Sequence, residues 1–317
     1  MTVKPADWPA APFEAHRAHL RSVAYRMLGS LTDADDAVQE AWLRLSRADA
    51  GDVRDLRAWL TTVVSRVCLD MLRSRAARRE DSLDVHVPDP IVTRVDDDPE
   101  EHAILADSIG IALLVVLDTL SPTERLAFVL HDIFAMPFEQ IGPILDRSPA
   151  AAKQLASRAR RRLRDAPSRA AEEPAAAAGS APSGTGTAPS GSADLARQWT
   201  VVEAFLAASR EGDFEGLLAI LDPDIVLRAD AGAGPLGPSV LLRGAREVIA
   251  QAQRFAPLGR YARPVLVNGG PGFLIARNGE PLAVMAVTVQ DGKIAEMDVL
   301  ADPARLARLD LTELSGT

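Results

Sequence analysis

Sulfur and aromatic rings are scarce in this 317-residue chain. It has one cysteine, Cys68, so no internal disulfide can form and a reducing compartment suits it. Aromatic residues are 4% of the total, so cores must be built mainly from aliphatic side chains. No run reaches the roughly 18–20 uninterrupted apolar residues of a membrane span. Residues 1–12 hold no apolar stretch of the signal-peptide type. Together these absences lead to an expectation of a cytoplasmic protein without a membrane partner. From Asp194 onward there is no histidine, which removes the commonest general base from that part of the chain. A net charge of −9 excludes non-specific coating of nucleic acid; any such binding must come from a local patch.

What is present divides the chain. Hydrophobic residues make up 47%, enough to form cores without metals or disulfides, and the length allows two or three domains. Composition sets the expected boundaries. A helical block covers residues 10–80 and an acidic linker residues 81–103. A second helical block covers residues 104–165, a tether rich in Ala, Pro, Gly and Ser covers residues 166–193, and a block of mixed character covers residues 194–317.

In the first block Phe13, Leu20, Val23, Ala24, Met27 and Leu28 share one helical face, and Gly29 ends that helix. Thr32 with Asp35 is similar to a capping box ahead of the stripe Ala37, Val38, Ala41, Trp42 and Leu45. A third helix is expected over residues 55–75. The second block predicts helices over residues 104–119, 122–132, 137–145 and 149–164. Ser121-Pro122-Thr123-Glu124 is a strong start signal, and Pro143 implies a short or kinked third helix. After Asp194 come two helices, then strand-like runs whose Asn278-Gly279 and Asp291-Gly292 pairs suit hairpin turns. The expected fold class is multidomain: two all-α domains, the second with a helix-turn-helix, followed by an α+β domain with a curved antiparallel sheet.

The helix over residues 149–164 holds the densest positive charge. Lys153, Arg158, Arg160, Arg161, Arg162 and Arg164 stand on it, Arg147 and the capping Ser148 precede it, and no acid interrupts the run. A basic helix after a short helix and a tight turn is how a helix-turn-helix meets DNA. Ala151, Lys153, Gln154 and Ser157 lie near its start, where base edges are read. Arg158, Arg161 and Arg162 are expected on phosphates, and Leu155 and Leu163 against the core.

Four segments in order resemble bacterial RNA polymerase sigma factors of the extracytoplasmic-function (ECF) group. Residues 33–45 resemble the segment that holds the polymerase clamp helices. Residues 56–60 and 66–73 resemble the helix that opens and reads the −10 element. Residues 120–130 and 138–142 resemble the −35-binding domain leading into its helix-turn-helix. The resemblance implies core RNA polymerase and promoter DNA as partners. It implies Asp33, Asp36, Gln39 and Glu40 as polymerase contacts, although an exposed helix face would carry the same residues. It implies Arg54, Arg57, Trp59, Thr62, Arg66, Asp70 and Arg73 at the −10 element, where opened bases are captured by stacking and charge. Trp59 could equally be core, and Asp70 could simply pair with Arg66 or Arg73. The −35 set is Arg147, Ser148, Ala151, Lys153, Gln154, Ser157, Arg158, Arg161 and Arg162. The acidic residues 96–101 are either a solvated connector or a mimic of nucleic-acid charge.

The C-terminal block resembles SnoaL-like domains of the nuclear-transport-factor-2-like superfamily, cone-shaped α+β folds with a pocket, which some ECF sigma factors carry. Asp291-Gly292-Lys293 and Asp302-Pro303 match motifs of that subgroup, implying interdomain regulatory roles for those residues. The subgroup's Pro-Glu-Pro linker motif is Val87-Pro88-Asp89-Pro90 here. Its glycine-rich turn ending in lysine is replaced by residues 229–237. The expectation is a sigma factor modulated in cis and not an enzyme, without metal or cofactor, with a small-molecule ligand as a candidate occupant of the cone. Asp224, Asp230, Glu296 and Asp298 are the only acid–base candidates singled out there. The alternatives are a helix-turn-helix regulator and a DNA-binding module fused to a SnoaL-like enzyme.

Overall fold

The computed structural model describes residues 10–48, 55–78, 85–95, 110–165, 191–311 and 314. Arg54, the acidic run 96–101 and the expected helix start at residue 104 lie outside the described residues.

The first block is three helices: α1 (Ala10–Leu28), α2 (Leu31–Leu45) and α3 (Leu56–Arg78). Gly29 ends α1 at φ 67°, a conformation open to glycine. The cap of α2 is Ser30, whose side chain accepts from the Asp33 N–H at 3.3 Å, so the expected Thr32–Asp35 box stands two residues too late. Asp55 caps α3 by accepting from the Ala58 N–H at 3.0 Å. Leu20, Met27, Ala37, Ala41, Leu60 and Val64 are fully buried between the three helices, and the Phe13 ring sits 4.9 Å from that of Trp42.

The second block holds α4 (Ile111–Leu117), α5 (Pro122–Phe128), α6 (Phe138–Leu145) and α7 (Pro149–Asp165). Ser121 and Glu124 form the expected capping box. The helix expected to run to residue 132 instead widens into a π turn at Val129–Ile133. Within it His131 stacks on Phe138 at 3.9 Å, and just beyond it Phe134 meets His19 edge-on at 5.5 Å. The helix containing Pro143 is short, at 8 residues. Asp146 turns left-handed at φ 53° to separate α6 from α7. Gly142 lets the chain fold back, since a Cβ there would lie 2.8 Å from the Arg147 carbonyl.

The C-terminal block starts with α8 (Gly191–Glu211) and α9 (Phe214–Ile220). Then come β2 (Leu221–Asp230), β3 (Val240–Arg243), α10 (Ala245–Phe255), β4 (Ala262–Val267), β5 (Gly270–Arg277), β6 (Glu280–Gln290), β7 (Lys293–Leu300) and α11 (Pro303–Leu306). Hairpins at Asn278-Gly279 and Asp291-Gly292 take positive φ as expected, as does Asn268-Gly269 between β4 and β5. The sheet order is β1–β4–β5–β6–β7–β2–β3, and β2 runs parallel to β7, so the sheet is mixed rather than wholly antiparallel. Its first strand, β1 (Val92–Thr93), comes from the linker and pairs with Val267 and Leu266 on the β4 edge.

Both faces of this sheet bury apolar side chains, and one also carries the charged Arg228, Asp230, Glu296 and Asp298. Leu227, Phe273, Val287 and Met297 point under α8 and α10. Val265, Val267, Leu274, Ala276, Val284 and Leu300 point the other way, into a core shared with both helical blocks. Strand alternation thus gives one sheet two cores: its own, and one that joins all three blocks.

Candidate nucleic-acid interface

Helix α7 buries Ala152, Ala156, Ala159 and Leu163 and half-buries Leu155. The opposite face presents Arg147, Ser148, Lys153, Gln154, Ser157, Arg158, Arg161 and Arg162 to solvent, with Ala151 at its edge. Ser148 caps the helix, accepting from the Ala151 N–H at 3.2 Å, so free N–H groups and positive charge meet at one end. Part of the charge is spent internally. Arg162 donates to the buried Glu124 carboxylate at 3.0 Å, Arg158 lies 3.9 Å from it, and Arg160 holds Asp132 at 2.7 Å. Among the described residues Lys153 and Arg161 form no ion pair and carry their charge outward.

On α3, Arg57, Arg66, Asp70 and Arg73 are exposed, while Trp59 and Thr62 are half-buried. Trp59 packs against the apolar core, and Thr62 donates to the Ala58 carbonyl at 2.9 Å. Asp70 faces Arg73 at a loose 3.8 Å rather than Arg66. Arg66 reaches across to the second block and donates to the Pro143 carbonyl at 2.8 Å. On α2, Asp36 and Gln39 are exposed one turn apart. Glu40 is half-exposed and held by Arg44 at 2.8 Å. Asp33 bridges to Arg75 of α3, so it braces the block internally.

The linker residues 85–93 are held from two sides. Arg305 of α11 donates to Asp89 at 2.9 Å, to Asp230 at 2.6 Å and to the Val87 carbonyl at 2.6 Å. Asp230 also accepts from the Val87 N–H at 3.1 Å. Burial alone would raise the Asp230 carboxyl; His86, the Val87 N–H and Arg305 outweigh it and hold it below the usual carboxylate range. Asn268 accepts from the Ile91 N–H at 2.9 Å, and its own N–H reaches the Ile91 carbonyl at 2.8 Å. From the first block, Tyr25 donates to the Asp89 carbonyl at 2.6 Å and accepts from the Asn268 amide at 3.0 Å. Burial pushes the Tyr25 hydroxyl upward, so it stays a donor. The Asp89 N–H completes the set on the Gly29 carbonyl at 2.8 Å.

Of the five residues that the resemblance gave interdomain roles, Asp302 stands beside this contact. Its carboxylate caps α11 by accepting from the Ala304 and Arg305 N–H groups at 2.8 and 3.3 Å, which aims Arg305. Asp291, Gly292 and Lys293 instead form the β6–β7 hairpin turn at the far end of β7 from the linker. Arg305, Asp230, Asp89, Asn268 and Tyr25 were missed as a set. Arg305 stands three residues past the Asp302 cap; the others meet partners far apart in sequence, through side chains and backbone groups alike.

Within the C-terminal block, α8, α10 and one sheet face border a partly open cavity of about 120 Å³. None of its described lining residues is an acid, a base or a histidine. Among the described residues no group of three His, Cys, Asp or Glu could hold a metal, and no helix is long and apolar enough to cross a membrane.

The geometry defines a class: a protein of two helical blocks with an exposed basic recognition helix, its interblock segment held by a C-terminal α+β domain. Residues 12–78 match Sigma-70 region 2, and residues 111–163 match Sigma-70, region 4. The probable ECF RNA polymerase sigma factor SigI of Mycobacterium tuberculosis is 35% identical over 98% of both chains. The ECF RNA polymerase sigma factor SigJ of Mycobacterium tuberculosis (strain ATCC 25618 / H37Rv) is 38% identical over 95% of this chain and 94% of its own. The crystal structure of Mycobacterium tuberculosis SigJ superposes with a TM-score of 0.71 at 34% identity, covering 96% of this chain and all of the other. The chain belongs to the extracytoplasmic-function RNA polymerase sigma factors.

Proposed function

We propose that the chain binds core RNA polymerase in the cytoplasm and directs promoter-specific initiation, and that its C-terminal domain governs this activity in cis without catalysis of its own. Asp36, Gln39 and Glu40 form the polymerase-facing patch, with Asp33 as its brace. Trp59, Arg57, Thr62, Arg66, Asp70 and Arg73 serve the −10 element. The exposed face of α7 serves the −35 element.

The observation that carries the regulatory part is the double hold on residues 85–93: Tyr25 and Gly29 grip them from the first block, Arg305, Asp230 and Asn268 from the C-terminal domain. In this arrangement α3 and α6 touch through Arg66 and Pro143. Elements named for −10 and −35 are about 25 base pairs apart, about 85 Å at roughly 3.4 Å per pair. Two readers in contact cannot span that distance, so the arrangement is a closed state that must open on promoter DNA. The apolar cone, without acid or base, favours regulation over a fused enzyme. A candidate small ligand of this domain would act through the same hold.

The test is transcription in vitro from the gene's own upstream region, with core polymerase and either the full chain or a chain ending before residue 191. Both should capture core polymerase, and promoter-dependent output should differ between them. Failure of both to bind polymerase would overturn the initiation reading. Equal output and equal affinity would overturn the regulation in cis.

A further inference from the structure

The cavity of the C-terminal block and the linker clamp lie on opposite faces of the same two strands. Leu227, Ala229 and Ala231 of β2 and its end, with Met297, Val299 and Ala301 of β7 and its end, line the cavity. The residues between them point to the other face. Arg228 pairs with Glu296 and Asp298 there, and Asp230 takes Arg305 and the Val87 N–H. Successive side chains alternate across a strand, so a wall of the cavity and a jaw of the clamp are neighbouring residues on one backbone. The coupling is tightest at Ala229, Asp230 and Ala231. There the Asp230 carbonyl accepts from the Ala301 N–H at 2.7 Å, one residue before the Asp302 cap that aims Arg305.

The walls define the occupant. Phe205, Phe273, Met285 and Met297 supply apolar surface, and only Ser209 and Gln251 bring polar side chains. A charged molecule would be desolvated there with no partner. Apolar cavities of roughly 150 Å³ stay dry and accept benzene; at about 120 Å³ this one must spread slightly for a single ring. Close-packed interiors transmit such displacements rather than absorb them.

We propose that this cavity binds an uncharged apolar molecule of about one ring, and that its occupancy loosens the hold of Asp230 and Arg305 on the linker. The proposal rests on reading the C-terminal domain as a regulator in cis, and it names the ligand class and the route by which that regulator is set. Filling the cavity displaces β2 and β7 at Ala229, Ala231 and Ala301. The displacement reaches the carboxylate and guanidinium that grip Val87, and the closed arrangement gives way.

The experiment uses the full chain with benzene as probe and benzoate as its charged counterpart, binding by calorimetry and linker docking by amide hydrogen exchange. Benzene should bind at least tenfold more tightly than benzoate and should speed exchange of the Val87 and Ile91 amides severalfold. Ala229→Phe on β2 and Ala252→Phe on α10 each fill the cavity from a different wall. Whichever variant keeps its folded circular dichroism should lose benzene binding and the linker response together. No benzene binding to the wild-type chain, binding unchanged in a folded variant, or linker exchange that is unchanged or slower with benzene bound would each overturn the proposal. Neither readout involves polymerase or promoter, so a failed transcription assay and a failed probe assay are separate results.

Discussion

Arg66 donates a hydrogen bond from its Nη2 to the carbonyl of Pro143 at 2.8 Å. The first residue stands on the helix assigned to the −10 element, the second on the first helix of the helix-turn-helix. A side chain proposed for promoter DNA is therefore engaged inside the molecule. Arg66→Gln shortens the reach and removes the charge. It should weaken the closed arrangement by about 1–2 kcal/mol, toward the low end of the roughly 1.5–3 kcal/mol of a hydrogen bond with a charged group, because Arg66 is exposed. Amide exchange over Phe138–Leu145 should rise several-fold while exchange within α1 stays as it was. No rise would show that the α3–α6 contact carries no docking energy.

Arg305 has three acceptors, two on the linker and Asp230 on β2, and little exposure, with 15% of its side chain accessible. Arg305→Ala leaves Asp230 and Asp89 facing one another without their cation. Removing one partner of a buried pair costs about 3–5 kcal/mol, more than any single hydrogen bond in the clamp. Exchange at Val87 and Ile91 should approach that of free chain. Arg305→Lys should restore the hold only in part, because an ammonium cannot serve three acceptors in the planar geometry of a guanidinium. A full rescue by lysine would mean that charge alone, and not the fork of donors, holds the linker.

Local structure was legible where a side chain bonds its own neighbourhood. The Ser121 box, the Ser148 cap and the Asn-Gly and Asp-Gly hairpins were each readable, because the donor and the acceptor lie within a few residues. The exposed face of α7 followed from its polar and basic positions, with Leu155 and Leu163 turned inward. The parallel β2–β7 pairing was not readable, since alternation along a strand is the same whichever way its neighbour runs. Nor was the linker strand, whose partner on β4 is far away in sequence. Val87-Pro88-Asp89-Pro90 departs from its subgroup's motif, yet it docks through the Val87 and Asp89 backbone groups together with the Asp89 carboxylate, which keeps an acid for Arg305 where the motif has Glu. The internal bridge of Asp33 was unreadable for a different reason. Spacing put Asp33 on the face of Asp36 and Gln39 but could not show that Arg75 claims it.

On α7 the internal pairings rank the arginines. Among the described residues Arg161 has no ion-pair partner, whereas Arg160 holds Asp132 at 2.7 Å and Arg162 holds Glu124 at 3.0 Å. Each phosphate contact contributes about 0.9 to the slope of log affinity against log salt concentration. Arg161→Ala should lower that slope by about 1 with little effect on folding. Arg160→Ala should leave the slope nearly unchanged and instead loosen the packing of α7 on the π turn. Binding of a −35 duplex at several salt concentrations separates the two. Equal slopes for both variants would remove the ranking.

His19 links docking of the two helical blocks to pH. It accepts or donates at 3.3 Å with Thr61 and meets the Phe134 ring of the second block edge-on. Burial lowers it from 6.5 to about 4, helped by Arg57, His16 and Arg26 nearby. Its lowered value means that the docked form prefers the neutral ring. The contribution is therefore complete above about pH 6.5 and is lost as the pH falls toward 4. Amide exchange at the π turn should rise across that window in the wild-type chain and stay flat in His19→Gln. A wild-type profile as flat as the variant's would exclude His19 as the source.

Asp298 has the opposite sign. It is fully buried beside Arg228 and Glu296, and burial raises it from 3.8 to about 6 against the pull of Arg228. The folded state then holds a proton that the unfolded state has released. Below about pH 3.8 the group costs nothing; the cost grows as the pH rises and is complete above about 6. Asp298→Asn keeps an oxygen for Arg228 at nearly the same place and never pays this cost. Relative to wild type the variant should gain stability between pH 4 and 7, by up to about 3 kcal/mol at the conversion of 1.36 kcal/mol per pKa unit. Urea midpoints of the full chain at the two pH values measure it. A difference between variant and wild type that does not grow with pH would show that Arg228 compensates Asp298 completely, and that the charged triad under the clamp is neutral in its effect on docking.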